Sequence, residues 1–282
     1  MKIANIRLER TAMKEVDSAE DGPAVYPRSL GDKGHSVRQL DPSRVSDSLV
    51  TLAPRGTELD PKQQVLAEQF RLLRTRVKAL SKDFKLRTIL ITSALPGEGK
   101  TTVAANLAGS LSRIEGLRVL LVDFDLRHPS LHTIFGVEAG SRTPSALEGD
   151  VPWQDAIYRL NQGLDVLFGF HQLEEPDRLL QGARLEKLIE EVKAEYDVVI
   201  LDSAPMLAVA DTHSLVPLVD CGLFVINADS TPIGAAKEAL SMLRDKVAGC
   251  VVNRVTHLKT EDYYRNSGYG YGYGYGSKRT EN

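Results

Sequence analysis

The stretch Thr88-Ile-Leu-Ile-Thr-Ser-Ala-Leu-Pro-Gly-Glu-Gly-Lys-Thr-Thr102 decides the fold of this 282-residue chain. An apolar run opens the stretch, a turn of small residues follows, and a helix-forming segment begins after the last threonine. A strand, a glycine turn, a lysine, a hydroxyl residue and a helix in this order predict a phosphate-binding P-loop. We expect the phosphates of a nucleotide to bind the residues of this turn, namely Pro96, Gly97, Glu98, Gly99, Lys100, Thr101 and Thr102.

The chemistry of the predicted loop follows from its backbone and from two of its side chains. Backbone N–H groups of the turn and the positive end of the following helix converge on one phosphate chain. Lys100 adds a positive charge at the β- and γ-phosphates, and the Thr101 hydroxyl can bind Mg²⁺. Ala94 stands where the motif usually has its leading glycine, and the turn tolerates this small residue.

Outward from this loop, apolar runs alternate with helix-forming segments. The runs 119–122, 198–201 and 223–226 are apolar at every position, which is typical of central parallel strands with helices on both faces. The pattern predicts an α/β fold with a doubly wound, mostly parallel sheet flanked by helices, as in P-loop NTPases. Strands are predicted at 87–93, 118–123, 164–168, 197–202, 222–227 and 248–253, and helices at 100–114, 178–195 and 234–246.

Two of these strands end in acidic residues. Ligands bind at the carboxyl ends of the strands in a parallel sheet, and Mg²⁺ on a nucleotide prefers hard oxygen ligands. Asp202 directly follows an apolar run and fits the position of a metal-binding carboxylate, a role that Asp123 could share. Asp123 and Asp125 lie on the same side of an extended segment, so one could bind near the metal while the other takes a hydroxyl proton.

The chain divides into three parts. Residues 1–60 are rich in Asp, Ser, Pro and Gly and are predicted to be a largely disordered extension, and residues 61–255 form the P-loop domain. Residues 256–282 form a tyrosine-rich tail that is also predicted to be disordered. The domain begins with an amphipathic helix at 61–80, on which one row of charges forms either a solvated face or an interface: Glu68, Arg71 and Arg74.

Composition bears on partners and on location. The net charge of −3 gives no general attraction to nucleic acid, so no nucleic-acid partner is expected. No apolar run approaches the ~20 residues that cross a bilayer, and the N-terminus lacks the apolar segment of a signal peptide. Cys221 and Cys250 lack metal-ligand spacing and indicate a reducing compartment. We therefore expect a cytoplasmic protein, and any association with a membrane would come through a partner.

Together these motifs resemble the bacterial tyrosine kinases of capsular and exopolysaccharide biosynthesis. The resemblance covers about residue 60 to the C-terminus and rests on three motifs and on a cluster that holds six of the nine tyrosines. The motifs are Ser93-Ala-Leu-Pro-Gly-Glu-Gly-Lys-Thr-Thr102 (Walker A), Leu120-Leu-Val-Asp-Phe-Asp-Leu-Arg-His-Pro-Ser-Leu-His132 (Walker A′) and Tyr196-Asp-Val-Val-Ile-Leu-Asp-Ser-Ala-Pro205 (Walker B).

The resemblance implies an ATP- and Mg²⁺-dependent autokinase and gives its residues roles. Lys100 would bind the β- and γ-phosphates, and Thr101 would hold Mg²⁺ together with Asp202 and Asp123. Asp123 would also be a catalytic carboxylate near the incoming hydroxyl, with Asp125 in support. Asn253, at the end of the last strand, would contact the adenine base.

The resemblance also implies partners and acceptors. The charged row on helix 61–80 is similar to the oligomerisation motif of the family, which helps to assemble a ring in which the tail of one subunit enters the active site of its neighbour. A separate membrane-spanning polysaccharide co-polymerase would activate the kinase and recruit it peripherally to the inner membrane. A tyrosine phosphatase would remove the phosphates, and the cycle would regulate polysaccharide polymerisation and export. The implied phosphoacceptors are Tyr263, Tyr264, Tyr269, Tyr271, Tyr273 and Tyr275.

Two alternatives remain. One is a P-loop ATPase of the chromosome-partitioning or septum-placement type, but those proteins carry a second lysine at the position that Leu95 occupies here, and the tyrosine tail has no purpose in them. The other is a non-catalytic scaffold that binds nucleotide and uses the tail as an adhesive segment. The presence of Lys100, Thr101, Asp123 and Asp202 argues against the scaffold.

Overall fold

The computed structural model describes residues 37–53, 56–84, 86–138, 151–161, 163–169 and 183–255. Within these residues the chain forms one sheet of eight strands with helices on both faces. The strands are β1 (Arg38–Gln39), β2 (Thr88–Ser93), β3 (Val119–Phe124), β4 (Ile157–Asn161), β5 (Leu164–Leu167), β6 (Val198–Ser203), β7 (Cys221–Asn227) and β8 (Val247–Asn253). The helices are α1 (Pro61–Phe84), α2 (Lys100–Leu111), α3 (Leu131–Ile134), α4 (Ala183–Glu195), α5 (Asp211–Leu215) and α6 (Ile233–Met242).

The strand order places the P-loop at the centre of the sheet. The order is β1-β4-β5-β3-β6-β2-β7-β8, and every neighbouring pair is parallel except β4 and β5. The register pairs Asp123 on β3 with Asp202 on β6, and it pairs Asp202 with Ile91 on β2. The two predicted carboxylates therefore lie side by side at the carboxyl edge of the sheet, next to the strand that leads into the P-loop.

Burial explains why the central strands are apolar at every position. All six residues of β2, β3 and β6 are buried, because each strand has one hydrophobic cluster above it and another below. Helices α1 and α2 pack on one face, where Phe70 and Leu107 are among the buried residues. Helices α4, α5 and α6 pack on the other face, where Ile189 and Leu215 are buried. The predicted doubly wound α/β fold is confirmed.

The predicted elements agree with the structure except near one edge of the sheet. The six predicted strands are present, and helix α2 ends a few residues earlier than predicted. Residues 178–182 of one predicted helix lie outside the described residues, and α4 begins at Ala183. Strand β4 was missed because its central Arg159 breaks the apolar pattern to bind Asp165 on β5. Strand β1 was missed because it has only two residues.

The boundary predicted at residue 60 was wrong, because residues 37–53 belong to the folded domain. Leu49 and Leu52 are buried in the same cluster as α1 and α2. The Thr51 hydroxyl donates to the Asn106 carbonyl of α2 at 2.7 Å. Gly109 of α2 makes the close approach possible, since a Cβ there would lie 2.3 Å from a methyl group of Leu52. The apolar residues of this segment thus cover α2, which the predicted boundary left exposed.

Helix α1 begins where the sequence predicted and continues beyond residue 80. Asp60 and Gln63 form a reciprocal cap, in which the Gln63 N–H donates to Asp60 Oδ1 at 2.9 Å and the Asp60 N–H donates to Gln63 Oε1 at 3.1 Å. Pro61 follows at the first helical position, where its missing N–H has no cost. In the part of the chain that the structure describes, no helix combines the length and the apolar character that a membrane span requires.

Candidate active site

The P-loop has the geometry that phosphate binding requires. Gly97 and Gly99 adopt left-handed conformations, with φ of 76° and 96°, which turn the chain sharply between β2 and α2. Lys100 follows as the first residue of α2 and is almost fully buried. The backbone N–H groups at the start of this 12-residue helix are free of side-chain caps, so the positive helix end is available to an anion.

Asp123 and Asp202 lie next to each other and are fully buried, but their surroundings differ. Asp123 accepts backbone N–H groups from Asp125 at 3.2 Å and from Ser130 and Leu131 at 3.0 Å each. Both carboxylate oxygens of Asp202 are buried without a hydrogen-bond partner in the described part of the chain. A buried carboxylate without partners is costly, so Asp202 marks a position where a cation would be stabilised.

Burial makes the ionised forms of these carboxylates unfavourable. It raises the pKa of Asp202 to about 7, although the positive charge of Lys100 opposes the rise. Burial, and then the negative charge of Asp202, raise the pKa of Asp123 well above its usual range. The pKa of the half-buried Asp125 is also raised, mainly by burial. Two neighbouring buried carboxylates therefore need a cation before both can ionise.

The residues that face this position fit a divalent cation with oxygen ligands. Asp202 offers two free carboxylate oxygens, and Thr101 offers a hydroxyl that lies 3.3 Å from the Ser130 hydroxyl. Asp123 offers a second carboxylate, which backbone N–H groups hold in place. Oxygen ligands of this kind suit Mg²⁺, and the P-loop places them beside the expected phosphates.

The loop after β3 is fixed by an ion pair that the sequence did not reveal. The Arg127 guanidinium donates to both carboxylate oxygens of Asp211, at 2.8 and 3.0 Å, and Asp211 is buried at the start of α5. Asp125 stabilises the same loop by accepting the His128 N–H at 3.0 Å. Arg127 follows Asp123 and Asp125 closely in sequence, but its partner is 84 residues away and no local pattern marks it.

The side chains of Glu98 and Asn253, which were predicted to contact the nucleotide, both form hydrogen bonds to other residues of the chain. The Glu98 carboxylate accepts the Leu95 N–H and the Thr231 hydroxyl, so only its backbone N–H is left for a phosphate. The Asn253 amide donates to the Glu98 carbonyl at 3.0 Å, and its Oδ1 accepts the Arg254 N–H at 2.9 Å. These contacts make Asn253 a support of the P-loop, and its contact with adenine stays a prediction.

The three residues predicted for oligomerisation lie on helix α1. Glu68 and Arg71 form an exposed ion pair of 2.7 Å on α1. The half-buried Arg74 side chain donates to the Ser110 carbonyl at 3.0 Å and so links α1 to α2. The six tail tyrosines and residues 1–36 lie outside the described residues.

Comparisons with known proteins agree with this geometry. A family described as AAA domain matches residues 86–238, which include both β2 and the carboxylate pair. The tyrosine-protein kinase YwqD of Bacillus subtilis (strain 168) is 37% identical over 201 residues, which are 70% of this chain and 84% of YwqD. The kinase domain of the Escherichia coli tyrosine kinase Etk superposes with a TM-score of 0.64 at 26% identity, over 89% of this chain and 100% of that domain.

The chain belongs to the bacterial tyrosine kinase family. The succinoglycan biosynthesis transport protein ExoP of Rhizobium meliloti (strain 1021) is 29% identical over 78% of this chain. The chain spans 28% of the length of ExoP, and 25–30% of several other relatives that it matches. The stretch that resembles Walker A lies on β2 and the start of α2, the one that resembles Walker A′ lies on β3 and the Arg127 loop, and the one that resembles Walker B lies on β6.

Proposed function

We propose that the protein is an ATP- and Mg²⁺-dependent protein-tyrosine kinase that phosphorylates tyrosines of its own C-terminal tail. The observation that carries the proposal is the buried pair Asp123 and Asp202, which lies beside the P-loop of a bacterial tyrosine kinase with both Asp202 oxygens unpartnered among the described residues. A site that only held nucleotide would have no need for a second buried carboxylate next to the first. Phosphoryl transfer needs both a metal ligand and a nearby carboxylate.

The residues divide the reaction between them. P-loop N–H groups and Lys100 hold the phosphates of ATP, and Thr101 and Asp202 hold the cation. When bound, Mg²⁺ supplies positive charge that offsets the charge of the phosphates. Asp123 and Asp125 are the carboxylates that would meet an incoming phenol, and Asp125 is the more accessible of the two. As the tyrosine oxygen attacks the γ-phosphorus, its proton passes to one of them and ADP leaves.

The tail supplies an acceptor of suitable shape and reach. Four of its six tyrosines, Tyr269, Tyr271, Tyr273 and Tyr275, alternate with glycines, so each of these four phenols can enter a cleft without a bulky neighbour. About 10–20 residues separate β8 from the six tyrosines, which allows a maximum extended reach of ~30–70 Å. The tail can therefore reach its own site or that of a neighbouring subunit. Each phosphate adds about −1.5 to −2 charges at neutral pH, so six would add roughly −9 to −12 and would repel nearby subunits.

Helix α1 offers a surface for the proposed ring. The Glu68–Arg71 pair lies beside two exposed apolar side chains, Val65 and Leu72, which are 57% and 41% exposed. An apolar pair flanked by opposite charges suits a surface that meets another copy of the chain. Because Arg74 is engaged within the protein, its part in the ring is to fix the position of α1.

The wider role follows from relatives. The name of ExoP refers to succinoglycan biosynthesis and transport. The kinase would regulate polysaccharide polymerisation and export. A membrane-spanning activator would recruit it, and a phosphatase would remove the phosphates from its tail. Assembly would favour phosphorylation between subunits, and the accumulated charge would favour disassembly.

Incubation with γ-labelled ATP and Mg²⁺ tests the kinase. We expect label on the wild-type chain, none on Lys100→Met, and wild-type labelling of Lys237→Met, which removes an exposed lysine on α6. Changing the six tail tyrosines to Phe should remove most of the label. Equal label on that variant would refute the tail as the principal acceptor. If the wild-type chain takes no label even with its membrane activator, the kinase proposal is wrong.

A further inference from the structure

Glu98 poses an electrostatic problem within the P-loop. A loop that binds phosphates gathers positive potential, and a carboxylate in that loop would repel its ligand. Glu98 is nevertheless only 2% exposed, and no basic side chain within the described part of the chain forms an ion pair with it. A buried carboxylate at this position is costly unless its hydrogen bonds serve a purpose.

Those hydrogen bonds join the P-loop to a distant segment. Glu98 Oε2 accepts the Leu95 N–H at 2.9 Å, which closes the first half of the P-loop upon itself. Glu98 Oε1 accepts the hydroxyl of Thr231, which lies 133 residues further along the chain. We call these two contacts the Glu98–Thr231 bridge. Through it, one side chain fixes both the shape of the P-loop and its position against the loop after β7.

The partner segment is itself well ordered around Thr231. The Thr231 hydroxyl accepts the Asn227 N–H at 2.9 Å, and the Thr231 N–H donates to the Asn227 carbonyl at 3.0 Å. The Asn227 side chain accepts the Asp229 N–H at 3.1 Å. The hydroxyl therefore holds a fixed direction, because its acceptor role toward Asn227 directs its hydrogen toward Glu98. The bridge connects two preformed loops.

A second contact strengthens the same connection. The Asn253 side chain, at the end of β8, donates to the Glu98 carbonyl at 3.0 Å. It lies so close to the P-loop that a Cβ at Gly99 would come within 2.2 Å of its amide nitrogen. Glu98 is thus held by its side chain from the end of β7 and by its carbonyl from the end of β8.

The strand order shows which part of the nucleotide these contacts serve. Asp123 and Asp202 lie on β3 and β6, on one side of β2. Thr231 follows β7 and Asn253 ends β8, on the other side. The carboxylates that would bind the metal and meet the acceptor lie on the β3–β6 side. The bridge therefore acts on the opposite side, where it affects how tightly the loop holds phosphates and not how the acceptor is activated.

We propose that Glu98 and Thr231 are positioning residues that hold the P-loop in its phosphate-binding shape. This inference rests on the proposed function, because the proposed function is what gives the loop a nucleotide to bind. Replacing the Thr231 hydroxyl leaves a buried carboxylate oxygen without its donor, and the loop loses its fixed shape in the absence of nucleotide. Nucleotide then has to order the loop as it binds, which weakens the binding of ATP, of ADP and of the transition state to the same extent.

The test compares Thr231→Val, which matches threonine in shape, with Thr231→Ser, which restores the hydroxyl. We expect Thr231→Val to raise the Kd for ADP and the KM for ATP about tenfold, a loss at the low end of what a hydrogen bond to a charged acceptor contributes, and to leave kcat within about twofold. Thr231→Ser should stay close to wild type. Ser230→Ala, which removes an exposed hydroxyl from the same loop, controls for disturbance of the segment.

Hydrogen exchange supplies a readout that does not depend on activity. Without nucleotide, Thr231→Val should speed amide exchange in peptides that cover residues 94–99 and 227–231, and leave exchange in β3 and α4 unchanged. Faster exchange throughout the domain, or equal losses of kcat and ADP affinity, would show general destabilisation and overturn the proposal. If Thr231→Val does not fold, Glu98→Gln is tested by the same criteria. We expect a smaller loss of ADP affinity from Glu98→Gln, because a neutral amide is a weaker acceptor for the Thr231 hydroxyl but can still accept its hydrogen bond.

The outcomes separate this inference from the proposed function. A wild-type chain that binds no ADP and takes no label contradicts the proposed function, and with it the nucleotide that the bridge is meant to serve. A wild-type chain that binds ADP and takes label, next to a Thr231→Val variant with the same Kd and the same exchange, overturns the bridge alone. Weaker ADP binding by Thr231→Val with rescue by Thr231→Ser supports it.

Discussion

Replacing Asp202 with asparagine should stabilise the nucleotide-free protein, and the gain should grow as the pH rises. The carboxyl of Asp202 is fully buried, and burial raises its pKa to about 7 from the ordinary value of 3.8. Below about pH 4 the group is protonated in the folded and the unfolded chain alike. Between about pH 4 and 7 only the unfolded chain releases the proton, so ionisation favours unfolding.

The magnitude follows from the two pKa values. One pKa unit corresponds to about 1.4 kcal/mol, so the rise from 3.8 to about 7 corresponds to ~4 kcal/mol of lost stability once the pH exceeds 7. The asparagine side chain of the variant carries no charge and escapes this loss. Removal of the Asp202 charge also eases the ionisation of Asp123, which adds to the difference in the same direction.

Urea denaturation in EDTA at a series of pH values from about 4 to 8 measures the effect. The free energy of unfolding of Asp202→Asn minus that of wild type should increase by about 1.4 kcal/mol per pH unit and level off above about pH 7. Asp245→Asn, which removes an exposed carboxylate outside the site, controls for the change in net charge. Saturating ADP and Mg²⁺ should reverse the order, because the cation stabilises a carboxylate that the variant lacks. A difference that stays constant with pH would refute the reasoning.

Three further predictions test the packing, the Walker A′ loop and the ring surface. Gly109→Ala should lower the free energy of unfolding by about 1–3 kcal/mol in urea denaturation, because its Cβ would lie 2.3 Å from Leu52. Arg127→Ala should lower the free energy of unfolding by about 1–3 kcal/mol in the same assay, because it leaves the buried Asp211 carboxylate without its half-exposed partner. Arg71→Ala should lower the mass of the assembly in light scattering, because it removes the exposed partner of Glu68.

Each of these predictions has a control and a contrary outcome. Gly234 is a helical glycine with open space around it, so Gly234→Ala should leave the free energy of unfolding unchanged or raise it. An equal loss of stability in Gly234→Ala and Gly109→Ala would contradict the packing argument. Arg127→Ala with wild-type stability would show that Asp211 finds other partners. Lys78→Ala removes another exposed charge from α1 and should leave the assembly unchanged, so equal effects at Lys78 and Arg71 would contradict a specific interface.

The sequence predicted the parts of the site that depend on local pattern. The P-loop was recognisable because a strand, a turn and a helix follow one another without a break around Gly99 and Lys100. Asp123 and Asp202 were recognisable because each ends an apolar run, and parallel strands bring such ends to one edge of the sheet. Neither inference required knowledge of the contacts between distant residues.

The rest depended on such contacts and could not be predicted. Nothing near Thr231 indicates that its hydroxyl meets Glu98, and nothing near Asp211 indicates Arg127, because each pair forms only when separate loops meet in the folded chain. The packing of segment 37–53 on α2 could not be predicted for the same reason. Its few apolar residues look like part of a polar extension until α2 provides the surface that they cover.

Mapping the phosphate by mass spectrometry tests the central claim most directly. After incubation with ATP and Mg²⁺, the account predicts phosphotyrosine in the peptide that spans residues 263–275 of the wild-type chain. It predicts none in Asp123→Asn, which keeps the fold and the size of the side chain but removes a carboxylate of the site. Phosphate confined to other residues, or undiminished phosphotyrosine in Asp123→Asn, would contradict the claim that this carboxylate pair directs phosphate from ATP to the protein's own tail.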